Sequence, residues 1–391
     1  MNKKVLSLLL AIVLIFGMAG CSATESEKAT VPEPAAEAEA APTDETPAET
    51  DPAAETAAAE TVAEEDAEPR VFTDDCGREV SLPADITAVV PSGPLAQMVL
   101  VSLAPELLVG LASDWNDCAE GIIAEEYWAL PCFGQLYGSA DLNVEELAAA
   151  GPQLIIDIGE AKDSLVEDME NLEAQTQIPS VHIEATLATM ADAYRTLGAL
   201  LGREEKGEEL ALFCERVYDR TLAIMEQVGD EKVRALYILG EEGLNVLANG
   251  SYHAEVFDLL TENLAVVDNP SSKGTGNEVT LEQIALWNPD FLLFAPGSIY
   301  DTAADLDTWQ ELTAIRNGDY IEVPEGPYNW MGMPPGVQRY LALIWLTAEL
   351  YPQYCDYDVE TEVREYYALF YGCELTEEQY DALTAHAFRE G

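Results

Sequence analysis

The nitrogen and sulfur side chains best suited to ligate a metal or attack a carbon are few in this 391-residue chain: three histidines and seven cysteines. His182, His253 and His386 are dispersed, whereas a bare-metal site needs several histidines and carboxylates converging. The cysteines form no C-x-x-C pair, so neither a zinc knuckle nor a thioredoxin-type pair is written in. No Gly-x-Ser-x-Gly, His-Glu-x-x-His or phosphate-cradling loop occurs either. What remains is recognition without bond making, and no enzyme activity is expected. Trp115 follows Ala112-Ser113-Asp114 in a loop, and Tyr328-Asn329-Trp330-Met331-Gly332-Met333-Pro334-Pro335 cannot be regular structure. Tyr328, Trp330 and Trp115 each combine a flat apolar face with one hydrogen-bonding atom, which suits a partly wet small-molecule pocket. Arg339 lies at helical spacing beyond the loop, as a partner for an anionic ligand group or for a neighbouring carboxylate.

Positioning these loops requires a scaffold of strands and helices. Short apolar segments at 86–90, 107–111, 154–158 and 180–183 read as strands, with a helical stretch at 95–103. The strands open into Pro91-Ser92-Gly93-Pro94, Ala112-Ser113-Asp114-Trp115 and Gly159-Glu160. Such βα units form a mainly parallel sheet, and ligands sit beyond the carboxyl ends of its strands. Ser92, Trp115 and Glu160 are thereby placed near a cleft. Residues 185–228 carry a long helical pattern, with Gly198 and Gly202 as points where it bends or splits. A second strand series follows at 233–239, 291–294 and 320–323. The expected fold is α/β, with two Rossmann-like lobes of mainly parallel sheet flanked by helices and joined by one long backbone helix. An internal echo supports related lobes: Asn143-Val144-Glu145-Glu146-Leu147-Ala148 leads to Gly151-Pro152-Gln153-Leu154-Ile155-Ile156. Thr280-Leu281-Glu282-Gln283-Ile284-Ala285 leads in the same way to Asn288-Pro289-Asp290-Phe291-Leu292-Leu293.

The N-terminus carries an address. Lys3 and Lys4 precede an apolar run over 5–16, shorter than the ~20 residues of a membrane span and suited to a secretory signal. Met18-Ala19-Gly20-Cys21 then resembles a bacterial lipobox, implying lipidation of Cys21 and anchoring at the outer face of the cell membrane. Residues 22–68 are Ala, Glu, Pro and Thr with almost no large apolar side chains, a composition that cannot offset its ordering entropy. The expected divisions are a signal peptide over 1–20, the lipidated cysteine and acidic linker over 21–69, lobes over 70–184 and 229–391, and a connecting helix over 185–228. With 73 acidic against 18 basic side chains, a net charge of −55 makes nucleic acid a poor partner. Outside the cell, Cys118 with Cys132 and Cys355 with Cys373 are close enough in sequence to pair, and Cys76 and Cys214 also remain. Free thiols satisfy the sequence equally well.

Phe72-Thr73-Asp74-Asp75-Cys76-Gly77-Arg78-Glu79-Val80 resembles the opening hairpin of the Fe/B12-type periplasmic-binding family, the helical-backbone class of ABC transporter substrate-binding lipoproteins. Asp74, Gly77 and Arg78 match its Asp-x-x-Gly-Arg pattern, and the paired Glu-to-Pro units and the lobe–helix–lobe order fit too. The resemblance implies a monomer that captures an iron-siderophore, haem, cobalamin or similar ligand between its lobes. It implies delivery to an ABC permease dimer with its ATPase, and no cofactor beyond the lipid. It further implies that Glu145 and Glu282 dock into the two permease subunits, two carboxylates giving a charge-guided register. Asn249-Gly250-Ser251-Tyr252-His253-Ala254-Glu255-Val256 resembles a family segment facing the cleft, which adds Tyr252 and His253 to the ligand residues. A tethered ligand sensor, or an oxyanion- or metal-binding clamshell uncoupled from iron or corrinoid uptake, shares all of these features.

Overall fold

The computed structural model describes residues 69–136, 142–271 and 273–389, so the signal segment, Cys21 and almost all of the linker lie outside the described residues. Strands β1 (Arg70–Thr73) and β2 (Glu79–Leu82) pair antiparallel as the opening hairpin. Its turn explains the Asp-x-x-Gly-Arg pattern. One Asp74 oxygen accepts the amides of Cys76 and Arg78 at 3.1 and 2.9 Å, and the other meets the Arg78 guanidinium at 2.9 Å. Gly77 supplies the left-handed φ of 76° that an L side chain rarely adopts. Arg78 also reaches Glu173 at 3.1 Å, which staples the hairpin to the first lobe.

That lobe comprises β3 (Val89–Pro91), α1 (Pro94–Leu103), α2 (Val144–Ala150), β4 (Leu154–Gly159), α3 (Leu165–Thr176) and β5 (Ser180–Glu184). The three strands form a parallel sheet in the order β3-β4-β5. The strand expected over 107–111 is not formed. A 3-10 turn takes Pro105–Leu107, and the segment keeps only isolated bridges, Leu108 to Val89 and Leu111 to Cys132.

The connector expected as one helix over 185–228 is two, α4 (Met190–Leu201) and α5 (Glu204–Val228). Gly202 adopts φ 65° and ends α4. The two helices pack through Gly198 and Gly207: a Cβ at Gly207 would stand 2.6 Å from the Tyr194 carbonyl oxygen. Arg195 of α4 ties to Glu208 and Glu215 of α5 at 2.7 and 2.6 Å. At 1.5 Å per residue, the 25 residues of α5 make a strut about 37 Å long.

The second lobe opens with β6 (Arg234–Leu239), β7 (Asn245–Val246), α6 (Glu255–Leu260), β8 (Glu262–Asn263) and β9 (Asn277–Glu278). It continues through α7 (Leu281–Trp287), β10 (Phe291–Phe294), α8 (Tyr300–Ala303), α9 (Thr313–Asn317) and β11 (Tyr320–Glu322). Its sheet runs β11-β10-β6-β7-β9, with β8 also beside β6. Strands β6, β8, β10 and β11 pair parallel, and β7 is antiparallel to both of its neighbours. Helices α10 (Arg339–Leu350), α11 (Val359–Tyr371) and α12 (Glu377–Leu383) complete the chain. Every residue from Arg339 to Thr347 is buried, as expected of a helix apolar nearly all round.

Alternation along the strands separates three clusters of core residues. Val89, Leu154 and Ile156 of the first sheet, and Ala235, Tyr237 and Leu293 of the second, all face one continuous core that also holds α1, α4, α5, α10 and α11. The opposite face of the first sheet packs Val90 and Ile155 on Phe133 and Leu147. That of the second packs Leu236, Ile238 and Phe294 on Ile284 and Trp309. The echo seen in sequence is structural: α2 and α7 are both seven residues long, and their N-caps Asn143 and Thr280 accept amides at 3.2 Å. Gly151 and Asn288 then adopt the left-handed conformation, and Pro152 and Pro289 lead into β4 and β10. All six cysteines among the described residues are free thiols.

Candidate functional site

Residues 323–338 run between the lobes, and side chains from both sides converge on them. Gln338 is fully buried and donates to the carbonyls of Gly326 and Tyr328 at 3.1 and 2.7 Å, fixing the loop from within. Tyr328 points at the first lobe. Its hydroxyl accepts from Gln97 of α1 at 3.0 Å, and its ring meets Trp115 at 5.9 Å between centroids. Burial pushes the Tyr328 phenol far above its ordinary pKa, so it stays neutral. The Trp115 indole donates to the Tyr127 carbonyl at 3.1 Å, which aims its ring. Asn329 donates to the Tyr237 hydroxyl at 3.3 Å, and that hydroxyl contacts the Met333 sulfur at 3.6 Å. A Cβ added at Gly336 would stand 2.8 Å from the Met98 sulfur, so α1 rests directly on the loop.

A second shelf stands beside the first. Tyr252 and His253 sit edge to face with centroids 6.4 Å apart, and a Cβ at Gly274 would lie 3.4 Å from the His253 ring. The Tyr252 hydroxyl donates to the Ala185 carbonyl at 2.8 Å, bridging to the exit of β5. Burial raises the Tyr252 pKa, the Arg339 charge opposes this, and the Glu255 and Glu160 carboxylates add to it. Glu160, in the loop after β4, thus acts on Tyr252 from the other lobe.

Three expected ligand residues are engaged elsewhere. Trp330 is fully buried: its indole donates to the Tyr367 hydroxyl at 3.1 Å and its ring packs edge-on against Trp345 at 6.0 Å. It is a core residue, because a large apolar ring gains more from the shared core than from a wet rim. Ser92 is buried and its hydroxyl donates to Asp157, whose second oxygen meets His182 Nδ1 at 2.7 Å. Arg339 is fully buried and paired with Glu255 at 2.5 Å, its guanidinium 5.1 Å from the Tyr252 centroid. Of its two readings, the neighbouring carboxylate is the observed partner. Sequence reasoning missed Gln97, Met333 and Glu255; Gln97 alone carried a signal, as the one carboxamide in the apolar helix Pro94–Leu103.

Two hollows are not lined by Trp115, Tyr252 or Tyr328: one of about 600 Å³ beside β2 and α3, and one of about 180 Å³ between Glu322–Glu325 and His386. Among the described residues no group of three or more His, Cys, Asp or Glu side chains is placed to hold a metal ion. Nor is any of their helices long and apolar enough to cross a membrane. Glu145 and Glu282 are both exposed, one in the first turn of each echo helix. The backbone amide of Glu282, and after it the Thr280 hydroxyl, hold the Glu282 carboxyl below its usual pKa.

Residues 136–327 match the periplasmic binding protein family. The fold is similar to an ABC transporter solute-binding protein of Sulfurospirillum deleyianum, at 26% identity and a TM-score of 0.75, over 81% of this chain and 99% of that one. A periplasmic solute-binding protein of Veillonella parvula shares the fold at 22% identity and a TM-score of 0.68, covering 82% and 98% of the two chains. So does a molybdate-bound periplasmic protein of Haemophilus influenzae, at 20% identity and a TM-score of 0.62 over 78% and 99%. No curated protein matches. The family consists of transport-associated binding proteins that work outside the cytoplasm with permease and ATPase components. Its helix-joined lobes and parallel sheets, together with the family match over residues 136–327, are those of a periplasmic solute-binding protein of an ABC transporter.

Proposed function

We propose that the chain captures an organically chelated ligand, an iron-siderophore, haem or cobalamin, at the seam between its lobes and delivers it to the permease. The observation that carries this reading is that one interlobe loop meets Trp115 through Tyr328 on one side and, through Met333, flanks Gly274 with His253 on the other. Aromatic faces and a thioether suit the organic shell of a chelate, and His253 offers ring nitrogen beside them. The single core shared by both lobes favours a small closure over a nearly preformed site. Lipidation at Cys21 tethers the protein to the outer face of the membrane, and Glu145 and Glu282 register the loaded form on the permease. Thermal melting of the purified protein against ferric siderophore, haem, cobalamin and molybdate tests the ligand. A ligand at a hundred times its Kd adds about 2.7 kcal/mol, and a raised melting temperature with a chelate is expected. A shift with molybdate alone would overturn the chelate assignment. Charge reversal of both glutamates should abolish uptake while leaving binding intact, and Cys21→Ala should release the protein from the membrane fraction.

A further inference from the structure

Gln97 is fully buried in α1 and uses its whole hydrogen-bonding capacity. Its side-chain oxygen accepts the amides of Ala112 and Ser113 at 2.8 and 3.1 Å. Its side-chain nitrogen donates to the Ser113 carbonyl at 3.1 Å and to the Tyr328 hydroxyl at 3.0 Å. These partners settle which end of the carboxamide is which: a backbone amide can only donate and a backbone carbonyl can only accept. One side chain therefore grips the loop that carries Trp115 and the tyrosine that faces it from the other lobe. The two rings lie 5.9 Å apart at a tilt of 55°.

We infer that Gln97 is a positioning residue for ligand capture, coupling the Ser113–Trp115 loop of one lobe to Tyr328 of the other and so setting the aromatic wall of the seam. This rests on the reading of the seam as the ligand site. Gln97 has no atom in the wall itself and acts through the two rings. Its geometry differs from that of a merely structural glutamine in one respect: a structural glutamine would tie a loop to its own helix, whereas this one also reaches across the lobes.

The test uses the ligand-free protein and three variants. Gln97→Leu removes every bond, Gln97→Glu keeps the acceptor for the two amides, and Tyr328→Phe removes only the interlobe bond. Hydrogen exchange is followed in peptides covering 111–116 and 326–331. Acrylamide quenching of Trp115 is read as the difference from the same protein carrying Trp115→Phe. Coupling predicts that Gln97→Leu speeds exchange at least tenfold in both peptides, with Trp115 more quenched. Gln97→Glu should restore slow exchange at 112–113 and, because the Tyr328 hydroxyl can donate to its second oxygen, keep Trp115 shielded. Tyr328→Phe should raise Trp115 quenching without disturbing 112–113. Fast exchange confined to 111–116, with Trp115 unchanged, would reduce Gln97 to a local brace and overturn the inference. If Gln97→Leu fails to fold, unchanged quenching in Tyr328→Phe overturns it alone. Melting of wild type and variants with haem and with a ferric catecholate separates the two claims. If neither shifts wild type while the wall still loosens in the variants, the ligand reading fails and the coupling stands.

Discussion

The two echo units put opposite chemistry into the same frame. Counting from Glu145 and Glu282, Asp157 of β4 corresponds to Phe294 of β10. In the sheets, Asp157 lies beside His182 on β5, and Phe294 lies beside Glu322 on β11. The first lobe fills this rung with a hydrogen-bonded chain, Ser92 to Asp157 to His182. The second fills it with rings: Phe294 meets Tyr300 and Trp309 at 5.8 Å and Tyr320 at 6.0 Å. Glu322 is left facing Asp301 and Glu325 with no cation in the set that perturbs it. A shared backbone plan therefore fixes where a rung falls and leaves its chemistry open.

The largest effect is expected from Phe294→Ala, which leaves a cavity among three aromatic rings and should cost about 3–5 kcal/mol in chemical denaturation. Asp157→Ala should cost less, about 2–3 kcal/mol, because it strands the Ser92 hydroxyl and His182 Nδ1 without a partner. Adding Ser92→Ala should recover part of that loss, since one stranded group goes with it. The Glu322 rung should show itself through pH. Burial, with Asp301 and Glu325, raises the Glu322 carboxyl from 4.5 to about 7. The folded state then binds a proton that the unfolded state has already lost, so this group's contribution is full below about 4.5 and fades as pH rises to about 7. Glu322→Gln should flatten that decline in melting temperature and leave the protein more stable than wild type at pH 8. The smallest change is expected at the exposed helix starts, where Glu145→Gln and Glu282→Gln should each stay within about 0.5 kcal/mol of wild type.

Much of this frame was legible because periodicity and punctuation agree. The run 291–294 lies between Pro289 and Pro296, and β10 spans those same four residues. Gly202 marked the split between α4 and α5, although the sequence left bend and break both open. The segment 107–111 misled because a short apolar run reads as a strand whether or not a neighbour continues the ladder; here only single bridges form. The site was harder. Tyr328 and Trp330 stand two residues apart in one irregular loop, and nothing local tells which ring meets the other lobe and which enters the core. Ser92 sits at a strand end as expected, but its partner Asp157 is 65 residues away in sequence and its hydroxyl turns inward. Gln97 is the converse case, a buried polar residue whose reason appears only when four partners from two separate segments are assembled around it.

The core that runs unbroken from the opening hairpin through α5 to α11 has a consequence for how the molecule comes apart. Lobes with separate interiors can melt one after the other, and a ligand then protects only the lobe it holds best. Here neither sheet can shed its inner face without exposing the side chains that cover the other, so unfolding of the body should be one cooperative event. Stabilisation by a bound ligand is then spread over both lobes, and the slowest-exchanging amides of β4 and β10 should gain protection together.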